Sequence, residues 1–459
     1  MRTILSVNQF RECEQKSPIP VEELISRAGA AVTEEITARF PKSSALVLCG
    51  PGNNGKDGVA VARLLRDLGW QVRVVGYKSN MLDVPPVQFD NFETSESIIV
   101  DAVFGLGLSR PIEDDLRKVI YKINESGKPV VSIDLPTGIN GDTGEIMGSA
   151  VRSDLTVTFS CLKFGHVISP GRYYSGEVSI KDIGLQVCSA TAYYNTPCLW
   201  SGLIPRPSHE SHKYNRGYAV VCSPGIRAVG AVKLAALAAL RTCPGAVAVA
   251  CNDNEIALYA SALTSVMYKQ HDKIMRDRRV TAVLIGPGCE EEEVELRTKV
   301  LEVLRDQDRS YVLDAGALSV FQGCSDMLFN GINGRKAVLT PHEGEFRRIF
   351  PDLSGGTVER AKKAAKMSGA IVVLKGHDTV IASPDGRVAV NNNAPSALAT
   401  IGSGDVLAGI ITGLVASGMD AFYAACCGVW VHGECGKKYR LGLIADDIVC
   451  GIPEVLSSL

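Results

Sequence analysis

Short apolar runs alternate with longer amphipathic stretches along most of this chain. In the first half, residues 45–48, 71–76, 98–104, 130–134 and 155–159 have the length and branched or aromatic content of buried strands. Residues 24–40, 59–68 and 112–126 place apolar side chains at helical spacing instead. That rhythm predicts a parallel sheet covered by helices on both faces. It breaks over residues 195–215, where Pro197, Pro205 and Pro207 precede the polar run Ser208-His209-Glu210-Ser211-His212. Beyond the break the alternation resumes, with strands expected at 218–222, 246–251, 282–285, 311–314, 337–339 and 371–374 and helices at 230–241 and 290–305. The halves share no motif spacing, so the expectation is two different α/β domains, 1–205 and 206–459, joined by a linker.

Composition narrows the field. A chain of 459 residues exceeds one ordinary core, and 46% apolar with 21% charged residues is the balance of a globular protein. A net charge of −2 gives no electrostatic footing for nucleic acid or an anionic membrane. No apolar run has the length of a membrane span or signal peptide. The 14 cysteines include no C-x-x-C pair; Cys49, Cys222 and Cys251 lie in strand-like runs and Cys426-Cys427 in a helical one. The expectation is a reduced, cytoplasmic protein.

Candidate chemistry gathers where strands end and helices begin. Gly402-Ser403-Gly404-Asp405 stands at the start of an apolar helical pattern (Val406, Leu407, Ile410, Ile411, Leu414). Glycines there let N–H groups converge on an anion at a helix N-terminus. A carboxylate beside them is badly placed to bind phosphate but well placed to take a proton from a hydroxyl. In the first half Gly50-Pro51-Gly52-Asn53-Asn54-Gly55-Lys56-Asp57-Gly58 joins the first strand to a helix, where parallel sheets bind ligands; the alternative is a plain turn capped by Asp57. Asp101 and Asp134 stand at two further strand ends, and Asn54, Asp101 and Thr137 form an oxygen-only set suited to a hard cation. In the second half Lys375-Gly376-His377-Asp378-Thr379 can present a cation and N–H groups to nucleotide phosphates. His342 is placed to meet a substrate ring, or else to cap the helix from Glu343.

These motifs carry a resemblance. Residues 1–205 resemble the epimerase domain of the NAD(P)H-hydrate repair enzymes, whose loop reads Asn-Asn-Gly-Gly-Asp-Gly. The resemblance implies a Rossmann-like fold and a potassium ion held by Asn54, Asp101 and Thr137. It places Asn53, Asn54, Gly55, Lys56, Asp57 and Gly105-Leu106-Gly107-Leu108-Ser109-Arg110-Pro111 around the substrate, with Asp134 as the acid–base residue. Residues 206–459 resemble the ribokinase-like dehydratase domain of the same family, through Gly286-Pro287-Gly288, Thr340-Pro341-His342-Glu343-Gly344-Glu345, Val373-Leu374-Lys375-Gly376 and the turn at Asp405. This implies Asp405 as base, Gly402, Ser403 and Gly404 as anion hole, and Lys375, Gly376, His377, Asp378 and Thr379 along the nucleotide. Ala231, Gly288 and His342 would lie along the hydrate. The implied activity is epimerisation of R-NADHX or R-NADPHX, followed by dehydration of the S epimer with Mg²⁺ and ADP by a homo-oligomer. ADP is preferred over ATP because fused forms of the family use it.

Departures from the family pattern are local. Lys56 stands for glycine, Thr137 for serine and Ser26-Arg27 for an acidic–Asn pair. Cys222-Ser223-Pro224-Gly225 replaces a Gly-Gly-Ser/Asp loop, Gly316 an aspartate, and Asn393-Ala394-Pro395 a Thr-Gly-Asn triplet. Lys56 is expected to burden the epimerase loop, and Gly316 to alter nucleotide or magnesium handling. The rival reading is a ribokinase-like small-molecule kinase whose first half only binds or assembles.

Overall fold

Along Ser44–Cys49 the side chains of Ala45, Val47 and Cys49 turn to one face of the pleat and Leu46 and Leu48 to the other, and all five are buried. A strand buried on both faces needs cover on both. Leu24, Ala28, Val32 and Ile36 of helix Val21–Arg39 and Val61, Ala62 and Leu65 of helix Asn53–Asp67 cover the first; Leu116, Val119, Ile120 and Ile123 of helix Asp114–Glu125 cover the second. The computed structural model, which describes residues 2–79, 85–87, 92–187, 190–289, 294–306, 308–439 and 441–459, divides into compact units Arg2–Ala192 and Tyr193–Leu459. In the first, parallel strands run in the order Gln71–Gly76, Ser44–Cys49, Ile98–Ala102, Val130–Ile133, Leu155–Phe159, Glu177–Lys181. The last was not read from sequence: Glu177–Lys181 is only half-buried and alternates charged with apolar residues, as an edge strand does.

The second unit has parallel strands Met267–Gln270, Ala246–Cys251, Tyr218–Cys222, Ala282–Ile285, Ser310–Leu313, Lys336–Leu339 and Ile371–Leu374, in that order. Antiparallel strands Thr379–Ala382 and Val388–Asn391 extend it. Helices Val229–Leu240, Ser403–Ala416, Ala421–Gly436 and Ala445–Ser457 bury an apolar core with this sheet. The first two meet at backbone distance: a Cβ on Gly409 would stand 2.3 Å from the Ala235 carbonyl oxygen, and one on Gly413 2.5 Å from that of Ala239. The expected helix 290–305 is present as Val294–Val303, and residues 290–293 lie outside the described residues.

The segment expected as linker begins inside the second unit. Asn195 donates its backbone N–H to Val390 O (2.9 Å) and its side-chain amide to Asn391 Oδ1 (3.0 Å) and Cys426 O (2.8 Å), and accepts from Trp200 Nε1 (2.9 Å). The compact division at Ala192/Tyr193 thus precedes the expected boundary at 205/206. The described cysteines are free thiols, and Cys49, Cys222, Cys251, Cys426 and Cys427 are buried as small hydrophobes. Among the described residues no helix is long and apolar enough to cross a membrane.

Candidate active sites

In the first unit the chain leaves strand Ser44–Cys49 toward Gln71–Gly76 on one side and reaches Ile98–Ala102 on the other, which opens a crevice at the strand ends. A cavity of about 550 Å³ lies there. Asn53, Asn54, Asp57, Gly105, Leu106, Gly107 and Asp134 line it, together with Phe10, Glu14 and other residues the motifs did not indicate. Helix Asn53–Asp67 starts six residues before the expected position 59, so the glycine-rich motif forms its first turn, with Gly52 as N-cap. Gly55 is required there, because a Cβ would sit 2.0 Å from Gly50 O. Asp57 is consequently inside the helix and buried, not a cap. Lys56 is exposed and outside the cavity lining, as are Ser109, Arg110 and Pro111, while Leu108 is buried in the neighbouring core. Lys56 is thus exposed instead of lining the cavity, although its charge still bears on Asp57, which does line it.

Asp101 is 1% exposed and holds the turn after the fourth strand in place. It accepts from Thr137 N (2.8 Å), Thr137 Oγ1 (2.6 Å) and Ser132 Oγ (2.8 Å), and Thr137 Oγ1 accepts from Phe104 N (2.9 Å). Burial still raises its pKa above the ordinary carboxylate value. The Asn54 amide nitrogen donates to Ile133 O at 3.1 Å and its oxygen accepts from Gly105 N at 3.3 Å. Asp101 and Thr137 are thus bonded to each other, and Asn54 contacts Ile133 O and Gly105 N.

Asp134 has a positive φ of 65° and is held there from behind. Lys163 Nζ lies 2.7 Å from Asp134 Oδ1, Thr158 Oγ1 donates to the same oxygen at 3.0 Å, and Phe10 covers the ammonium with its ring centroid 3.9 Å away. His166 accepts from Lys163 N at Nδ1 (3.0 Å), which leaves Nε2–H to donate to Asp134 O (2.6 Å). Burial works against ionising Asp134, but the Lys163 charge and hydrogen bond outweigh it and lower its pKa. Burial first, then the Lys163 charge, pushes His166 down to about 4, so this histidine is neutral. Around this carboxylate two other acids are raised: Asp57 well above its ordinary value by burial, Asp134 and Glu14, and Glu14 by burial and Asp134.

In the second unit Asp405 stands in the first turn of helix Ser403–Ala416, with Gly402 as N-cap at φ 83°. The first-turn N–H groups of Gly404 and Asp405 have no carbonyl behind them in the helix, which is the donor arrangement an anion needs. Lys375 Nζ reaches Asp314 Oδ1 at 2.9 Å and Glu345 Oε2 at 3.9 Å, and Thr340 Oγ1 donates to Asp314 Oδ1 at 2.7 Å. A Cβ on Gly404 would stand 3.6 Å from Lys375 Nζ and 4.0 Å from Asp314 Oδ2, so turn, lysine and aspartates share one site. Burial, then the Asp314 charge, pushes Asp405 up to about 6 despite Lys375. Lys375 is half turned inward, whereas Gly376 and His377 are exposed at the tip of the hairpin and Asp378 and Thr379 are buried at the start of its return strand.

Of the remaining expected residues, His342 stands beside Lys375, to which its backbone is bridged, and Gly288 pairs with Ala231. A Cβ on Gly288 would approach Ala231 Cβ to 3.2 Å, so these two are neighbours. His342 caps helix Glu343–Ile349: Nδ1 accepts from Gly344 N (2.9 Å) and Glu345 N (3.3 Å), and Glu345 accepts in return from His342 N (2.8 Å). The capping alternative is therefore the one the geometry displays, with Nε2 3.4 Å from Glu345 Oε1. Gly316 is matched to this chain: a Cβ there would lie 2.5 Å from Cys289 Cβ, so Cys289 fills the space an aspartate would need. Ser223 donates to Glu255, is 2.8 Å from Tyr259 OH, and is thereby fixed.

Sequence reasoning missed Glu14, Lys163, His166 and His432. His432 is buried on helix Ala421–Gly436; its Nε2 lies 3.0 Å from both Ser403 O and Ser403 Oγ, bracing the turn before Asp405. The available signal was polar residues inside apolar runs, Lys163 between Leu162 and Phe164 and His432 between Val431 and Gly433.

Comparison with known proteins identifies both halves of the chain. A family profile described as NAD(P)H-hydrate dehydratase matches residues 225–452, and one described as YjeF-related protein N-terminus matches residues 21–165. A bifunctional NAD(P)H-hydrate repair enzyme of Dictyoglomus turgidum is 33% identical over 96% of this chain and 95% of its own. The enzyme of the same name from Coxiella burnetii is 32% identical over 97% and 98%. Among solved structures, the ADP/ATP-dependent NAD(P)H-hydrate dehydratase of Bacillus subtilis, crystallised with ATP and Mg²⁺, is similar with a TM-score of 0.52 and 29% identity, covering 58% of this chain and 98% of that one. A ribokinase-like superfamily protein of Enterococcus faecalis, at 21% identity and TM-score 0.52, supports the fold alone. With the similarity running nearly end to end, the chain belongs to the family of bifunctional NAD(P)H-hydrate repair enzymes.

Proposed function

We propose that the first unit epimerises R-NADHX and R-NADPHX and that the second dehydrates the S epimers at the expense of ADP, releasing NAD(P)H, AMP and phosphate. The observation that carries the reading is the Asp405 turn: a carboxylate with a pKa of about 6 stands beside helix N–H donors and the Lys375 ammonium. Asp405 takes the proton of the hydrate hydroxyl as that oxygen receives a phosphoryl group, and the N–H groups of residues 402–404 offset the charge developing on it. Phosphate then leaves with the electron push of the ring nitrogen, so phosphorylation serves to expel oxygen rather than to make a phosphorylated product. Gly376, His377, Asp378 and Thr379 would flank the nucleotide, and Ala231, Gly288 and His342 the nicotinamide end. Mg²⁺ would arrive with the nucleotide phosphates, since among the described residues no group of three histidine, cysteine or acidic side chains could hold an ion alone.

In the first unit Asp134, kept ionised by Lys163, is the base of a ring-opening epimerisation. Potassium would be held by Asn54, Asp101 and Thr137 and supply a fixed positive charge near the substrate; the Asp101–Thr137 contact and the Asn54 oxygen at Gly105 N, which put oxygen donors at these strand ends, support that reading. The decisive assay is incubation with S-NADHX and ADP or ATP while the near-UV absorbance of NADH is followed. Absorbance is expected to rise with ADP, and no rise with either nucleotide would remove the dehydratase reading.

A further inference from the structure

Helix Val7–Lys16 supplies a carboxyl group to the first cavity that the chemistry assigned to Asp134 does not use. The helix is pinned at its start: Ser6 Oγ accepts from Gln9 N (3.2 Å), Gln9 Oε1 from Ser6 N (3.0 Å), and Asp142 Oδ1 from Val7 N (2.8 Å). Phe10 and Cys13 bury its inner face. Glu14 follows Phe10 by one turn and lies on the same side. Because the Phe10 ring rests on Lys163 Nζ, itself 2.7 Å from Asp134, that side of the helix faces the reactive carboxylate. Glu14 lines the cavity with Asp57 and Asp134, and among the described residues its side chain has no hydrogen bond or ion pair.

We propose that Glu14 is the proton donor to the ring nitrogen, opposite Asp134, in the ring-opening step of the epimerisation; this rests on the epimerase reading of the first unit. The carbon that inverts bears a hydroxyl and the ring nitrogen. Asp134 takes the hydroxyl proton, the carbonyl forms, and the C–N electron pair passes to nitrogen, which takes the Glu14 proton. Rotation about the adjacent C–C bond presents the other carbonyl face. Nitrogen then adds to that face, Glu14 recovers its proton and Asp134 returns the other to oxygen, so atoms and charge balance.

Two carboxyl groups can divide the work in this way only if their environments separate them. Lys163 keeps Asp134 ionised, while partial desolvation at the cavity and the Asp134 charge raise Glu14, whose side chain otherwise stays open to solvent. The other charged groups that bear on Glu14 are Lys163 and Arg11, which oppose that rise, while Asp57 faces the same cavity. Asp57 is the competing donor, but it is buried within its own helix, whereas Glu14 has the longer side chain and no partner to leave.

The test uses the full chain, R-NADHX, and chromatographic separation of the epimers, with the spontaneous rate subtracted. Glu14→Gln should lower kcat for epimerisation roughly 10²- to 10³-fold with KM little changed, and remove the alkaline limb of the pH–rate profile. Glu14→Asp should recover part of the rate with that limb restored, at an unchanged thermal midpoint. A Glu14→Gln enzyme at full rate with both limbs intact overturns the proposal, and if Asp134→Asn is then inactive the epimerase reading survives it. A wild-type chain no faster than the spontaneous reaction overturns both.

Discussion

Each unit places the aspartate proposed as its base near a lysine, fully buried in the first and partly buried in the second, and a buried histidine, and the two arrangements tune the acid in opposite directions. In the first, Lys163 contacts Asp134 itself and lowers its pKa. In the second, Lys375 contacts Asp314, and Asp405 is left with burial and a neighbouring negative charge that push it up to about 6. The histidines do the same work in both: His166 donates to Asp134 O, and His432 reaches Ser403 O two residues before Asp405. Residue types alone therefore do not set the chemistry; what matters is which carboxylate the lysine touches. The low pKa fits a base that is ionised before the reaction and readily gives its proton back. The raised one fits a base that must bind its proton firmly as a hydroxyl attacks phosphorus.

The largest effect that would break this comparison is exchange of the aspartates themselves. Asp405→Asn should lower dehydration at least about 10³-fold in the NADH absorbance assay while epimerisation is retained, and Asp134→Asn should do the reverse. Partial loss of both in either variant would show that the two sites are not chemically separate.

Removing the lysines sharpens the contrast. Lys163→Met leaves Asp134 buried without its partner and should cost about 3–5 kcal/mol in denaturant unfolding of the first unit. Lys375→Met should instead move the acidic limb of dehydratase kcat/KM, expected near pH 6 in the wild type, to higher pH, because Lys375 is the one group lowering Asp405. An unmoved limb would mean that another group titrates there.

The histidines should behave alike. His166 and His432 are both held down to about 4 by burial, against an ordinary value of 6.5. Their folded pKa lies below the unfolded one, so the unfolded chain binds protons first. Stability is full above pH 6.5 and falls as pH drops toward 4, by up to about 3 kcal/mol for each histidine. Thermal or urea unfolding of His166→Gln and His432→Gln across this window should show a shallower pH slope than the wild type.

The smallest expected effect concerns Lys56. Its outward placement predicts that Lys56→Gly leaves epimerisation within about twofold and lowers stability by about 1 kcal/mol, the helix cost of glycine. A large gain in rate would show that the lysine does enter the site.

Much of this was legible because strand ends and helix starts are where α/β folds place ligands: Asn54, Asp101 and Asp134 follow from the first and Asp405 from the second. The sheets themselves followed from apolar runs such as Ala246–Cys251. Less legible were elements without a strong period: the half-buried edge Glu177–Lys181, and the pairing of Asn195 with Val390 that draws the proline-rich segment into the second unit. Lys163 and His432 were hidden for another reason. A lone polar residue in an apolar run reads as surface or as a tolerated exception, and only the tertiary partners, Asp134 and Ser403, give it a role. The departure at Gly316 became intelligible only beside Cys289, a residue distant in sequence that fills its space.

Gly409 and Gly413 carry one further consequence. Helix Ser403–Ala416 rests at Gly409 on the backbone of Ala235 with no side chain between them, and at Gly413 on the Thr242 hydroxyl and the Ala239 carbonyl. Gly409 is four residues from Asp405, about 6 Å along the axis. The helix behaves as a short lever with its fulcrum on bare backbone and the reactive carboxylate at its near end. A single methyl group at the fulcrum would shift the lever by a substantial part of an ångström, a displacement that costs catalysis far more than it costs folding. The rate of this enzyme is in that sense written partly in side chains it does not have.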